Sequence, residues 1–287
     1  MLKECRLCPR QCRVNRLAGE PGKCHITDQV MVSSYGPHFG EEAPLVGRHG
    51  SGTIFFTYCN LRCIFCQNYT ISQLGEGTTT SPEELARMML SLQARGCHNI
   101  NLVSPTHVVP YILEALELAA GKGLHVPLVY NTGGYDSVET LRLLEGVVDI
   151  YMPDMKYAHD ETAEQLSGVK HYPEVNRAAV KEMQRQVGDL KMDEQGIAQR
   201  GLLVRHLVLP HRLAGTAEIV RFLAQEVSPN TYVNIMAQYR PCYQAHKVPL
   251  ISRPLLQEEF REAIALARKE GLHRLDKDYF PLPLRII

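Results

Sequence analysis

From Gly52 onward, short apolar runs alternate with longer stretches in which apolar residues recur every three or four positions. Short runs rich in β-branched and aromatic residues predict buried strands, and the longer period predicts amphipathic helices. The first run is GTIFFTY, and SPEELARMMLSLQARG follows as a helix. Its Ser81 is placed as the cap, Pro82 at the first helical position, Glu84 at the capping-box position and Gly96 as the stop. The unit then recurs. NINLVS precedes the helix of THVVPYILEALELAAGKG, VPLVYNT precedes DSVETLRLLEG, and VVDIYMPD precedes helices between about 159 and 187. GLLVRHLVLP precedes AGTAEIVRFLAQEV, and TYVNIMAQY leads through a loop to PLLQEEFREAIALARKEG. Six strands, most followed at once by a helix, predict an α/β fold of parallel strands joined by helical crossovers.

Periodicity alone does not separate an open doubly wound sheet from a barrel. No G-x-G-x-x-G turn follows the first strand, which argues against dinucleotide binding. Six repeats fit a curled, incomplete barrel. In such folds chemistry gathers at the carboxyl ends of the strands. The polar motifs fall there: a cysteine loop after the first strand, SPTH after the second, NTGG after the third, PDMK after the fourth and AQYRP after the sixth.

The chain has 287 residues, enough for one large domain with an appendage. The expected division is a cysteine-rich lead-in over residues 1–50 and a partial barrel with C-terminal helix and tail over 51–287. Lysine and arginine number 31, as do aspartate and glutamate, so no basic excess supports a nucleic-acid partner. No apolar run approaches the ~18 residues of a membrane span. The start is basic and cysteine-rich, without the apolar centre of a secretory signal. Nine cysteines, seven of them in two tight groups, point to metal ligation in a reducing cytoplasm.

Cys59, Cys63 and Cys66 form C-x3-C-x2-C. Structural zinc prefers four closed ligands, so three thiols would need a nearby histidine to complete such a site. A [4Fe–4S] cube takes one thiolate per iron, and three cysteines leave one iron open. At these residues the sequence resembles the radical S-adenosylmethionine (SAM) superfamily, with Phe65 in the aromatic position beside the last cysteine. The resemblance implies a partial (β/α)6 barrel in which the amine and carboxylate of SAM chelate the open iron. It further implies reductive cleavage to methionine and a 5′-deoxyadenosyl radical, which abstracts hydrogen from a substrate. The electron would come from an external donor of flavodoxin or ferredoxin type.

Within the superfamily the resemblance runs from about Gly52 to Leu223 and points to the pyruvate formate-lyase activating enzyme group. It places Asp154 and Lys156 of DIYMPDMKY near the SAM carboxylate, and in that group the aspartate also helps to hold a monovalent cation. Thr132 matches an Asp-Thr pair of that group, but Asn131 stands where the carboxylate would be, which weakens a cation site. Arg205 matches a SAM-contacting arginine. The second strand departs from the pattern: NLVSPTH replaces the Gly-Gly-Glu-like segment that accepts the SAM ammonium. Ser104 and Thr106 remain as neutral acceptors, and His107 belongs either to ligand contact or to the next helix. In the loop after the sixth strand, Gln238, Tyr239 and Arg240 are candidates for contacts to adenosine or substrate, and Cys242 for a substrate-facing thiol. Cys97 is read as packing.

Cys5, Cys8, Cys12 and Cys24 form C-x2-C-x3-C-x11-C, four thiols that suit a closed zinc site or an auxiliary iron–sulfur cluster. His25 is an alternative ligand. Such a segment has little apolar content, and a metal could supply its folding free energy. The leading expectation is a radical SAM enzyme acting on a protein or peptide, with glycyl-radical activation as the nearest precedent. The alternatives are modification of a small molecule or another macromolecule, and a non-catalytic metal or electron-transfer module.

Overall fold

The computed structural model describes residues 1–276; the tail expected after the last helix lies, from residue 277 onward, outside them. The elements are β1 (Val30–His38), α1 (Ala43–Val46), β2 (Ser51–Phe56), α2 (Tyr69–Ser72), β3 (Thr78–Thr80), α3 (Pro82–Ala94), β4 (Ile100–Val103) and α4 (Val109–Ala120). They continue with β5 (Leu128–Thr132), α5 (Val138–Arg142), β6 (Ile150–Pro153), α6 (Asp160–Ser167), α7 (Tyr172–Val187) and β7 (Lys191–Met192). Last come β8 (Ala198–Leu207), α8 (Thr216–Phe222), β9 (Tyr232–Met236) and α9 (Gln257–Lys269).

Strands β2, β4, β5, β6, β8 and β9 pair in parallel in that order, and they are the six read from the alternating pattern. β1 adds to β2 antiparallel, β3 adds to β1, and the short β7 folds back on β8. Side chains alternate across each strand as the pleat requires. Val129, Ile150, Met152 and Leu203 pack together with Leu45 of α1, Leu190 and Ala198, filling the inside of the curl. Two residues further along their strands stand Asn131, Asp154 and Arg205, so a polar layer begins where the apolar filling ends. The opposite faces, with Tyr130, Tyr151, Leu202 and Val204, pack under the helices.

The curl is open between β2 and β9. Asn234 of β9 reaches across to the β1–α1 loop, donating to Glu42 Oε1 at 2.9 Å. Among the described residues, no helix is long and apolar enough to cross a membrane.

Local signals hold where they are self-contained. The capping box of α3 forms as read: Ser81 Oγ accepts from Glu84 N, and Glu84 Oε2 accepts from Ser81 N. α4 begins at Val109, later than its apolar period indicates, because the side chains before it turn inward. Thr106 bonds Asp136, and His107 Nε2 lies 3.0 Å from the Thr57 carbonyl.

Candidate active site

The cysteine loop leaves β2 through Tyr58, whose φ of +66° turns the chain at the mouth of the curl. Backbone bonds pin it to α6: Arg62 N donates to Ser167 O and Ile64 N to Leu166 O, both at 2.9 Å. All three thiols are free of disulfides. Cys63 Sγ lies 3.0 Å from Ser167 Oγ, Cys66 Sγ lies 3.1 Å from Ser72 Oγ, and Leu61 N donates to Cys59 Sγ. Burial pushes the Cys59 thiol up to about 12, and the charges of Cys63 and Cys66 add to the effect. Such thiols ionise readily only when a metal takes the proton's place. Among the described residues no three Cys, His, Asp or Glu side chains close on a point as ligands of a single ion do.

Across the mouth, Asp154 sits at the end of β6 with a cation on each oxygen. Lys156 Nζ donates to Oδ2 at 2.5 Å and Arg205 Nε to Oδ1 at 2.8 Å. Burial alone would raise the Asp154 carboxyl, but the Arg205 and Lys156 charges outweigh it and hold it below the usual range. Lys156 is raised in turn: burial disfavours its charge, and Asp154 and the Cys63 thiol more than offset this. Arg205 Nη2 also donates to Asn131 Oδ1 at 2.7 Å, and its Nη1 stands 3.8 Å from Glu41 Oε2. The guanidinium therefore occupies the position between Asn131 and Asp154.

Beside this pair lies a second buried group. Thr106, Tyr130 and Thr132 all donate hydroxyl bonds to Asp136, at 2.7, 2.9 and 2.7 Å. Thr106 Oγ1 and Thr132 Oγ1 lie 3.0 Å apart. With both protons directed at Asp136, the two oxygens face each other as acceptors.

A cavity of about 520 Å³ fills the mouth, within the usual range of small-molecule sites. Inward positions of the strands line it, including Phe55, Val103, Asn131, Arg205, Asn234 and Met236. Gln67 and Asn68 enter from the cysteine loop, Gln238 from the loop after β9, and Glu41 from outside the barrel. Gln67 Nε2 ties two walls together by donating to Gln238 O at 3.1 Å.

The candidates named from the sequence thus fall in several places. Asn131, Arg205 and Gln238 line the cavity, and Asp154 and Lys156 are paired beside it. Thr106 and Thr132 are buried against Asp136, and Ser104 sits at the β4 end with a φ of +58°. Phe65 packs edge-on against Tyr239 in the core, and the Tyr239 hydroxyl is spent on Ile251 O. His107 is fully buried on Thr57, and Arg240 is exposed. Cys97 is buried in the core among α3 and β4, as packing. The sequence reading missed Glu41 and Asp136. A carboxylate four residues past a strand-end Thr was the available signal for the second; nothing local marked the first.

A model of the radical SAM superfamily matches residues 53–191, which carry the cysteine loop and the strands through β6. The chain belongs to the radical SAM superfamily. It is 35% identical over 282 residues to the uncharacterized protein MJ0674 of Methanocaldococcus jannaschii, covering 95% of this chain and 76% of that one. Among solved structures, HydG, a maturase of the [FeFe]-hydrogenase, aligns with a TM-score of 0.51 at 15% identity over 75% of this chain. The chain spans about half, 48%, of HydG. Methylornithine synthase (PylB) aligns with a TM-score of 0.50 at 14% identity, over 79% of this chain and 70% of its own. At these identities the two likenesses speak for the shared fold.

Proposed function

We propose that this radical SAM enzyme abstracts hydrogen from a protein or peptide substrate, in the manner of the activating enzymes its motifs resemble. One observation carries the reading. The loop that holds the three free thiols lines the cavity through Gln67 and Asn68, opposite Arg205, and its Cys59 and Cys63 lie within range of the Lys156 charge, at the carboxyl ends of parallel strands. The donor set fits a [4Fe–4S] cluster: Cys59, Cys63 and Cys66 offer one thiolate to each of three irons and no fourth protein ligand. When bound, the reduced cluster and SAM supply one-electron cleavage of the sulfonium and removal of a hydrogen atom from substrate.

The chain's own residues prepare that chemistry. Ser167 and Ser72 place hydroxyls against the Cys63 and Cys66 sulfurs, where donated hydrogen bonds tune a cluster's potential. Lys156 and Arg205 bring two positive charges against one from Asp154 while Glu41, 3.8 Å from Arg205, keeps its proton. The surplus suits a carboxylate such as that of SAM, and the Arg205 fork suits its geometry. Thr106 and Thr132, buried on Asp136 and off the cavity lining, hold the β4 and β5 ends that present Asn131 to the cavity. Gln67, Asn68 and Gln238 offer hydrogen bonds at the rim.

The substrate is tested by incubating the reduced protein and SAM with pyruvate formate-lyase in its non-radical form. The reading expects a glycyl-radical doublet in the EPR spectrum of the partner. Formation of 5′-deoxyadenosine without a protein radical would move the reaction to another substrate.

A further inference from the structure

The N-terminal segment buries a cation that no carboxylate faces. Arg16 is only 2% exposed. Its Nη1 donates to the His107 carbonyl at 2.6 Å, its Nη2 donates to Cys24 Sγ at 3.1 Å, and its Nε has no partner. Among the described residues, no Asp or Glu lies within ion-pair distance of it. A guanidinium does not shed its proton in a protein, and an unpaired buried charge is strongly disfavoured. Its counter-charge must therefore come from sulfur.

The sulfurs are gathered beside it: Cys24 Sγ touches the guanidinium, and Cys5, Cys8 and Cys12 lie within charge range of Cys24 and of one another. Cys5 N donates to Val14 O, Arg13 N to Cys5 O and Gln11 N to Cys8 O, folding the segment into tight turns. Positive φ at Gln11 and Arg13 completes these turns. Cys12 and Cys24 lie on either side of Gly22, where an added Cβ would stand 3.1 and 3.6 Å from their sulfurs. Cys5, Cys8 and Cys24 are buried. Four neutral thiols would leave Arg16 uncompensated. No three of these thiols close on one point, so a lone zinc does not fit them, whereas a [4Fe–4S] core takes one thiolate on each of four separate irons; with a doubly positive core the set carries a net charge of about −2. We infer that Cys5, Cys8, Cys12 and Cys24 hold a dianionic [4Fe–4S] cluster, and that Arg16 is its buried counter-ion.

The same segment grips the cysteine loop of the barrel. Arg10 donates to the carbonyls of Asn60 and Gly168, Arg62 donates to Lys23 O, and the His25 ring stacks on Tyr58 at 5.3 Å. Arg16 reaches the start of that loop through His107, which bonds Thr57. The centre thus braces the loop from outside the sheet, at no point touching the cavity.

The test counts metal and acid-labile sulfide in protein prepared without oxygen, in a Cys59→Ala/Cys63→Ala/Cys66→Ala variant that retains only the N-terminal thiols. About four iron with about four sulfide per chain supports the centre, and about one zinc in their place overturns it. A chain with neither overturns it, whatever becomes of the barrel cluster. If that variant does not fold, the difference in metal between the wild type and Cys24→Ser decides the same question. Arg16→Met keeps the length and burial and removes the charge. It should speed metal release to a chelator about 10- to 100-fold, the usual cost of losing an outer partner of a metal ligand, and Arg16→Lys should restore most of the retention. Release at the wild-type rate in Arg16→Met would refute the counter-ion role.

Discussion

Glu41 enters the cavity from the β1–α1 loop with its side chain 9% exposed. Burial pushes its carboxyl up to about 7, and the nearby Arg205 guanidinium pulls it down without prevailing. The folded chain therefore holds this proton more tightly than the unfolded chain, whose carboxyl titrates near 4.5. Below that value both states are protonated and Glu41 costs nothing. As the pH rises, the unfolded chain releases its proton first, so stability falls, and the loss is complete above about 7. At about 1.4 kcal/mol per pKa unit, the full loss is about 3 kcal/mol, of which about 2.5 falls between roughly pH 5 and 8. Asp154 is held below the usual carboxylate range and Lys156 and Arg205 above theirs, so these neighbours keep their charges across that window. Glu41→Gln preserves the shape and removes the titration. Urea unfolding of the two chains side by side, without oxygen, should show the variant gaining about 2.5 kcal/mol on the wild type over that interval. Two stability curves that run parallel from pH 5 to pH 8 would refute the reasoning.

Two further substitutions probe the same layer. Asp154→Asn leaves Lys156 and Arg205 buried without their shared carboxylate, and should cost about 3–5 kcal/mol in urea unfolding; a loss below about 1 kcal/mol would mean that the pair is effectively solvated. Gly134→Ala should be worse tolerated than its size suggests. Gly134 has a φ of +75°, and its Cβ would stand 2.1 Å from Asp154 O and 2.2 Å from Asn176 Nδ2. A thermal melt should fall by well over the ~2 °C that corresponds to about 1 kcal/mol in a domain of this size.

The barrel strands were legible because a strand buried on both faces is a short apolar run bounded by turn residues, and each such run was followed by a helix of unmistakable period. Asp154, Lys156 and Arg205 were legible because they stand at strand ends in a fold that puts chemistry there. Glu41 was not. It lies before the first barrel strand, in a glycine-rich lead-in, and only the open seam between β2 and β9 brings it to the cavity. Asp136 was hidden for a related reason. Its role comes from three hydroxyls converging from β5 and the β4–α4 turn, and that turn delays the start of α4 in spite of its apolar pattern. Arg16 reads in sequence as one more basic residue in a basic segment. Its burial is a product of docking against the β4 end and cannot be seen from spacing.

The central claim is that the loop of Cys59, Cys63 and Cys66 holds a cluster with one iron open to SAM. EPR spectroscopy of the reduced protein, titrated with SAM, tests it most directly, with 5′-deoxyadenosine measured in the same samples. The account predicts that SAM shifts the cluster signal, that 5′-deoxyadenosine accumulates with dithionite, and that Cys63→Ala abolishes both while any N-terminal metal persists. A cluster signal indifferent to saturating SAM, with no 5′-deoxyadenosine formed, would contradict it.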